Sequence, residues 1–285
     1  MSAPLKHIPV FYSPKLQAQA TGTSPSAAKP MQAIASWIEL GIGISVIAPT
    51  PATRAGLIRA HDPDYVDAIL ECRALNGFGT KAADVAASLP YTVGAMICAA
   101  REAIKNGAVA VAPVSGFHHA HYSKAEGFCT FNGLMVAALA LKAEGLAQRV
   151  GILDLDQHYG NGTVDIAQRL GVDFVTHFSS GSEYFLESQA EEFLSRLPSR
   201  IASMKDCQVI LYQAGADPHI EDPLGGWLST EQLARRDRLV FETASDLGIP
   251  IAWNLAGGYQ SPLRKVLKIH DNTMLAAAKI YLHAR

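Results

Sequence analysis

Short apolar segments rich in β-branched residues alternate with longer segments of helical periodicity along most of this chain. The apolar segments predict six strands, at residues 44–48, 108–112, 150–155, 172–176, 208–213 and 250–255. The longer segments place apolar residues three and four positions apart and predict helices at 90–105, 131–148, 187–204, 230–247 and 262–282. Continuously apolar strands separated by helices are typical of a parallel sheet covered on both faces. We therefore predict an α/β fold with a central, mostly parallel sheet and helices on both faces.

No linker or repeat interrupts this alternation, so we expect a single domain over residues 1–285. The segment most typical of a loop is residues 18–29. The balance of 24 Lys and Arg against 26 Asp and Glu, a formal charge of −2, argues against direct binding of nucleic acid. The longest apolar stretch, residues 134–141, is too short to span a membrane, so we expect no membrane partner. Four widely separated cysteines without a CxxC pair predict reduced thiols and a cytoplasmic protein.

Chemically reactive side chains follow four of the predicted strands. The loops that carry them are residues 113–121, 154–162, 214–218 and 256–259. In open α/β sheets, functional groups gather outside the carboxyl ends of the strands. We therefore expect the His, Asp and Tyr side chains of these loops to lie at one edge of the sheet.

Two carboxylates and an imidazole stand at alternate positions in the second of these loops. In an extended chain Asp154, Asp156 and His158 project to the same side. Buried carboxylates repel each other unless a cation neutralises them, and a divalent metal is the natural partner. Asp156 and His158, joined by Asp217 from another strand, would supply the three ligands and open position typical of catalytic zinc. The spacing leaves open whether Asp154 or Asp156 is the ligand, and a hydrogen-bonded turn without metal is the alternative.

The other two loops offer groups that move or donate protons. The adjacent His118 and His119 can act as general base and general acid near neutral pH. Tyr259 follows two glycines, and its phenol could donate to an oxyanion. Each group alone is more often structural, but their coincidence at successive strand ends indicates a metallohydrolase.

Several stretches, taken in order, resemble the histone deacetylase superfamily, in the branch of class II-like bacterial histone deacetylase-like amidohydrolases and acetylpolyamine amidohydrolases. The matching stretches are Gly116-Phe117-His118-His119-Ala120, Glu126-Gly127-Phe128-Cys129, Ile152-Leu153-Asp154-Leu155-Asp156-Gln157-His158, Gly215-Ala216-Asp217 with Asp222-Pro223-Leu224-Gly225-Gly226, and Gly257-Gly258-Tyr259. The ordered set is specific, although no single piece is.

The resemblance implies the arginase/deacetylase fold and zinc-dependent removal of an acetyl or other short acyl group from an amine by a metal-bound water. The substrate would be acetyl-lysine, an acetylpolyamine or a small amide. The residues that it implies are the metal ligands Asp156, His158 and Asp217, the histidines His118 and His119, Asp154 behind the first of them, the phenol of Tyr259, and the tunnel wall at Gly127 and Phe128. Fe²⁺ or Co²⁺ could replace Zn²⁺ in such a site, and a structural monovalent cation could accompany it.

Three positions depart from the pattern of many relatives. Asn161 stands where an Asp often backs the second histidine, so His119 should be less basic. Tyr159 replaces a frequent His beside the ligand, and Ala256 replaces an acidic residue before the glycines. We expect Asn161 to belong to the catalytic set and to weaken the base without removing it.

Two other functions remain as alternatives. A binuclear manganese ureohydrolase would need ligands for a second ion, and Asp217-Pro218-His219 lacks the further Asp-x-Asp typical of that chemistry. A catalytically silent protein that binds acylated amines would be expected to lack a ligand, the histidine pair or Tyr259, and none is missing.

Overall fold

Seven parallel strands form one sheet in the part of the chain that the computed structural model describes, residues 4–18, 24 and 28–283. The spatial order is β2-β1-β3-β7-β6-β4-β5. The strands are β1 (Ile8–Phe11), β2 (Ile44–Ile47), β3 (Val109–Ala112), β4 (Val150–Asp154), β5 (Val175–Ser179), β6 (Val209–Gln213) and β7 (Ile251–Asn254). Every pairing between them is parallel.

Helices cover both faces of this sheet. They are α1 (Lys29–Glu39), α2 (Arg54–Leu57), α3 (Pro63–Leu70), α4 (Ala83–Asn106), α5 (Gly133–Ala143), α6 (Asn161–Leu170), α7 (Ala190–Ala202), α8 (Thr230–Leu247) and α9 (Arg264–Tyr281). One hydrophobic core joins the sheet to α1, α7, α8 and α9. A second core joins it to α3, α4, α5 and α6. The predicted fold class is therefore confirmed.

Most predicted elements have a counterpart within a few residues. The clearest is α8, which has the predicted bounds. Its start is fixed by a capping box, in which the Ser229 side chain accepts from the Gln232 backbone N–H at 3.2 Å and Gln232 Oε1 accepts from the Ser229 N–H at 2.9 Å. These two bonds satisfy donors that the first helical turn leaves unpaired.

Two strands differ from the sequence prediction. The strand predicted at 172–176 is wrong by three residues, because the Val172 N–H still donates to the Ala167 carbonyl at the end of α6 and β5 begins only at Val175. The first strand, β1, was not predicted, because it has only four residues and Pro9 interrupts its run of backbone donors. Helices α1, α2, α3 and α6 were also not predicted.

The predicted loop at 18–29 lies largely outside the described residues. Its last residue, Lys29, is described, and there the prediction is wrong. Lys29 begins α1 and is fully buried. Pro30 follows it in the first helical turn, where a missing N–H costs no hydrogen bond.

The central strands end level with one another, and this positions the functional loops. Ala112 of β3 and Gln213 of β6 are both paired with Asn254 of β7, and Asp154 of β4 is paired with Gln213. Because all four strands are parallel, the loops that follow them leave the same edge of the sheet. The side chains that the sequence placed after separate strands therefore meet there.

Helix α4 is long and apolar enough to cross a membrane by length and composition, with a mean hydropathy of 1.3 over its most apolar window. In the structure 56% of that window is buried inside the protein. It packs against β3 and α5. Core helices of soluble proteins commonly pass the same test.

Candidate active site

Three of the predicted side chains converge at the edge of the sheet. One ligand atom from each of Asp156, His158 and Asp217 lies within 4.8 Å of the other two. His158 Nδ1 is 3.3 Å from Asp156 Oδ1 and 3.2 Å from Asp217 Oδ2. Both carboxylates are buried, whereas His158 is half-buried. The cluster therefore offers two oxygens and one nitrogen to a single point.

The structure separates Asp154 from this cluster. Strand β4 ends at Asp154, residues 156–158 form a bend, and Asp154 is not one of the three residues whose ligand atoms converge. Asp154 Oδ2 lies 2.8 Å from His118 Nδ1, and its Oδ1 accepts from Gln213 Nε2 at 3.2 Å. Asp154 is thus placed to orient a histidine.

Negative charge accumulates where Asp156 and Asp217 lie side by side. Burial and the neighbouring Asp156 carboxylate raise the pKa of Asp217. Hydrogen bonds to Asp156 and Asp217 raise the pKa of His158 to about 10. A divalent cation would displace the His158 proton and neutralise both carboxylates. The donor set therefore fits a metal ion with three protein ligands, as catalytic zinc has.

The two adjacent histidines have different partners. Burial lowers the pKa of His118, but Asp154 and Asp156 outweigh it and raise the pKa to about 9. His119 Nδ1 lies 2.7 Å from Asn161 Oδ1, and burial and the His118 charge lower its pKa. The two rings are close, with centroids 4.0 Å apart. Near neutral pH the pair therefore combines a cationic His118 with a neutral His119.

Tyr259 reaches the site from the loop after β7. The backbone at Gly257 and Gly258 has φ values of 53° and 89°, and residues other than glycine rarely adopt such values. A Cβ on Gly257 would also lie 2.3 Å from the Asp217 carboxylate. These two glycines therefore allow the loop to pass directly over the Asp217 carboxylate. Burial, Asp217 and Asp156 raise the pKa of the Tyr259 phenol, so it stays protonated.

A cavity of about 160 Å³ connects these groups. Its walls include His118, His119, Asp156, His158, Tyr259, Gly127 and Phe128. A Cβ on Gly127 would overlap the His119 ring, at 2.4 Å from Cδ2. The Phe128 ring stands 5.6 Å from that of Tyr259, centroid to centroid. The predicted wall residues thus face a space that adjoins both the histidine pair and the phenol.

Two residues that hold the Tyr259 loop had no assigned role in the sequence analysis. Lys29 Nζ donates to the Gly257 carbonyl at 2.6 Å, and Asp222 Oδ2 accepts from the Tyr259 N–H at 2.8 Å. Asp222 lies in one of the stretches that carry the resemblance, so a signal existed. Lys29 lies in a segment typical of a loop, and nothing in the pattern indicated its burial.

His219 and Tyr159 are two further polar residues that the sequence singled out. His219 faces α8, with Nε2 2.9 Å from Thr230 Oγ1, and its Nδ1 accepts from the Glu221 N–H at 3.1 Å. Tyr159 is exposed on 42% of its surface. His219 therefore brings no ligand for a second ion to the Asp156 cluster.

Comparisons with known proteins show the family of this chain. A family model described as the histone deacetylase domain matches residues 24–185 and 183–274. An uncharacterized protein of Picosynechococcus sp. is 31% identical over 265 residues, covering 83% of this chain and 86% of that protein. Histone deacetylase 2 of Arabidopsis thaliana is 27% identical over 255 residues, covering 78% of this chain and 65% of that protein.

A solved structure, described as the HDA15 HD domain, has the same fold. It superposes with a TM-score of 0.80 over 99% of this chain and 91% of its own, at 18% identity. The family match extends over most of the chain and includes the convergent cluster, the histidine pair and the tyrosine loop. The chain belongs to the histone deacetylase family.

Proposed function

We propose that the protein is a metal-dependent deacetylase that removes an acetyl or other short acyl group from an amine such as acetyl-lysine or an acetylpolyamine. One observation carries the proposal: the Asp156, His158 and Asp217 ligand atoms converge beside a cavity that the histidine pair and Tyr259 also line. Family membership supports an amidohydrolase of the deacetylase type.

The three ligands would hold Zn²⁺, and Fe²⁺ or Co²⁺ suit the same oxygen and nitrogen donors. When bound, the ion would supply Lewis acidity to the amide carbonyl and to the attacking water. Because Asp156 and Asp217 neutralise a dication, its Lewis acidity is weaker than in a site of three imidazoles. Help from the protein's own groups is therefore required. A structural monovalent cation elsewhere stays a prediction.

His119 is the general base in this proposal. Asn161 Oδ1 can only accept a hydrogen bond, so the proton of neutral His119 lies on Nδ1 and Nε2 is left to accept one from water. The imidazolium formed in this way then gives its proton to the leaving amine. His118 is held beside the reacting atoms by Asp154, whose Oδ2 lies 2.8 Å from His118 Nδ1.

Tyr259 supplies the remaining stabilisation. Its protonated phenol donates to the oxygen that becomes negative as water attacks the carbonyl. Gly127 and Phe128 form the wall along which the acyl-bearing chain of the substrate would lie. Exclusion of water by these apolar surfaces strengthens the hydrogen bond from the phenol.

The test is release of acetate from acetyl-lysine peptides, acetylpolyamines and short-chain amides by protein loaded with one defined metal. We expect turnover with at least one class, its loss on chelation, and its return with Zn²⁺, Fe²⁺ or Co²⁺. His119→Ala is the control, because it should bind metal equally but release no acetate. Binding of these amides without release under every metal condition would favour the catalytically silent alternative.

The ureohydrolase alternative has less support. Among residues 4–18, 24 and 28–283, Asp156, His158 and Asp217 form the only group of three that could hold a metal ion. Two divalent metal ions per chain, measured on purified protein, would contradict the deacetylase proposal. We further propose that residues 1–285 form one catalytic domain in the cytoplasm. The four cysteines, all free in the structure, support this location.

A further inference from the structure

Arg236 in α8 is fully buried, yet it has no part in the reaction proposed above. Its Nη1 donates to the Leu155 carbonyl at 3.1 Å and to the Gly215 carbonyl at 2.7 Å. Leu155 precedes the ligand Asp156, and Gly215 stands two residues before the ligand Asp217. We propose that Arg236 is a positioning residue that holds the two metal-ligand loops in register and thereby sets the affinity of the site for its metal.

The two carbonyls lie just beyond the paired strands. The ladder between β4 and β6 ends at Asp154 and Gln213, and one further bond joins the Leu155 N–H to the Gln213 carbonyl at 3.1 Å. Beyond that point the loops pack tightly, since a Cβ on Gly215 would be 2.5 Å from Asp156 Cα. Arg236 Nη1 bonds to both loops. It therefore holds the loops after β4 and β6 in register beyond the last hydrogen bond of the sheet.

The guanidinium is itself fixed on its other side. Its Nε donates to Asp237 Oδ1 at 2.8 Å. Asp237 also accepts from the Tyr212 hydroxyl in β6 and from the Thr273 hydroxyl in α9. Arg236 therefore joins the ligand loops to the sheet and to two helices, and its planar shape leaves it little freedom to move.

The stability of the folded protein alone does not explain why the Arg236–Asp237 ion pair is buried. Both Arg236 and Asp237 are fully buried, and a buried ion pair is often no more stabilising than apolar side chains of similar volume. Arg236 Nη2 has no hydrogen-bond partner among the described residues, which adds to the cost of burial. Control of ligand geometry is a benefit that apolar side chains could not supply.

The inference rests on the proposed function, because it concerns the affinity of that metal site. Its test is the zinc dissociation constant, measured by competition with a chromogenic chelator. Arg236→Met should bind zinc about 10- to 100-fold more weakly, as expected when a group that supports metal ligands is lost. Arg236→Lys, which keeps the charge but not the planar fork, should recover part of that loss. Thr273→Val is the matched control, because it removes a hydrogen bond to Asp237 but leaves both loop carbonyls bonded. It should lower the melting temperature without changing zinc affinity.

Arg236→Met combined with Asp237→Leu guards against misfolding, because it leaves no buried unpaired charge. We expect this double variant to fold, with a lowered melting temperature because the buried Tyr212 hydroxyl loses its acceptor, and still to bind zinc weakly. Wild-type zinc affinity in the folded double variant would overturn the role of Arg236 while leaving the proposed function intact. A wild-type protein that binds no zinc, Fe²⁺ or Co²⁺ would instead contradict the metal site itself.

Discussion

Nδ1 of His119 lies 2.7 Å from Oδ1 of Asn161, an amide oxygen without charge. The adjacent His118 has a carboxylate, Asp154, at 2.8 Å in the corresponding position. Burial lowers the pKa of both imidazoles, but the Asp154 and Asp156 carboxylates raise that of His118, and the His118 charge lowers that of His119 further. The pKa values therefore separate although the ring centroids are only 4.0 Å apart. Such separation allows one histidine to remain charged while the other accepts a proton.

Asn161→Asp should therefore shift the pH dependence of the reaction. A carboxylate beside His119 raises its pKa, so the base becomes protonated at higher pH than in the wild type. We expect the acidic limb of the profile of kcat/KM against pH to move upward by about one unit. Asn161→Ala is the control, because it removes a hydrogen bond that raises the pKa of His119 and adds no charge. An upward shift in both variants, or in neither, would contradict the assignment of His119 as base.

Tyr259→Phe should lower kcat by about 10²- to 10³-fold, the loss typical of an oxyanion donor. KM should change little, because the hydrogen bond strengthens mainly in the transition state. Tyr65→Phe is the matched control, since the Tyr65 hydroxyl donates to the Thr130 carbonyl at 2.7 Å and does not line the cavity. Steady-state kinetics on both variants decide the point, and an unchanged kcat in Tyr259→Phe would exclude the role.

The ligand loops show what spacing along a chain can and cannot determine. Four strand ends were sufficient to bring the Asp, His and Tyr side chains to one edge, because parallel strands share a direction. Which of Asp154 and Asp156 belongs to the proposed metal site could be decided only from the three-dimensional structure. Asp156 lies in the group with His158 and Asp217, whereas Asp154, the last residue of β4, contacts His118, and the spacing alone does not distinguish these two places.

Lys29 and Arg236 could not be found from periodicity for a different reason. Each is a long cationic side chain in a buried position, where composition alone would place an apolar residue. Their partners are backbone carbonyls at Gly257 and at the ligand loops. Every residue has a backbone carbonyl, so the residue types do not show which carbonyl accepts a hydrogen bond. The contacts that hold the catalytic loops in place were therefore the least predictable part of the site.

Asp217→Asn should abolish the stabilisation of the protein by zinc. A neutral amide is a poor zinc ligand, and the variant keeps only two of the three protein ligands. For the wild type, zinc at about 100 times its dissociation constant should add about 2.7 kcal/mol to the free energy of unfolding. Thermal unfolding with and without zinc checks this. Asp222→Asn, outside the metal cluster, should retain the zinc-dependent shift, and equal shifts in all three proteins would contradict the ligand assignment.

Lys29 should make the stability of the metal-free protein depend on pH in the alkaline range. Burial lowers the pKa of Lys29 to about 8, although Asp217 and Asp156 oppose this effect. Between about pH 8 and the ordinary lysine pKa of about 10.4, this side chain binds more protons in the unfolded chain than in the folded one. Its contribution to the free energy of unfolding therefore rises with pH, by up to about 1.4 kcal/mol per unit.

Urea denaturation of chelator-treated wild type and Lys29→Met across this range isolates the effect, because other titrating groups cancel in the difference. We expect the difference in unfolding free energy, wild type minus variant, to increase from pH 8 to pH 10. Lys268→Met, at an exposed lysine in α9, should show no such trend. A flat difference for Lys29→Met would mean that the ammonium is not desolvated. A falling one would mean that its attraction to Asp217 and Asp156 outweighs its burial.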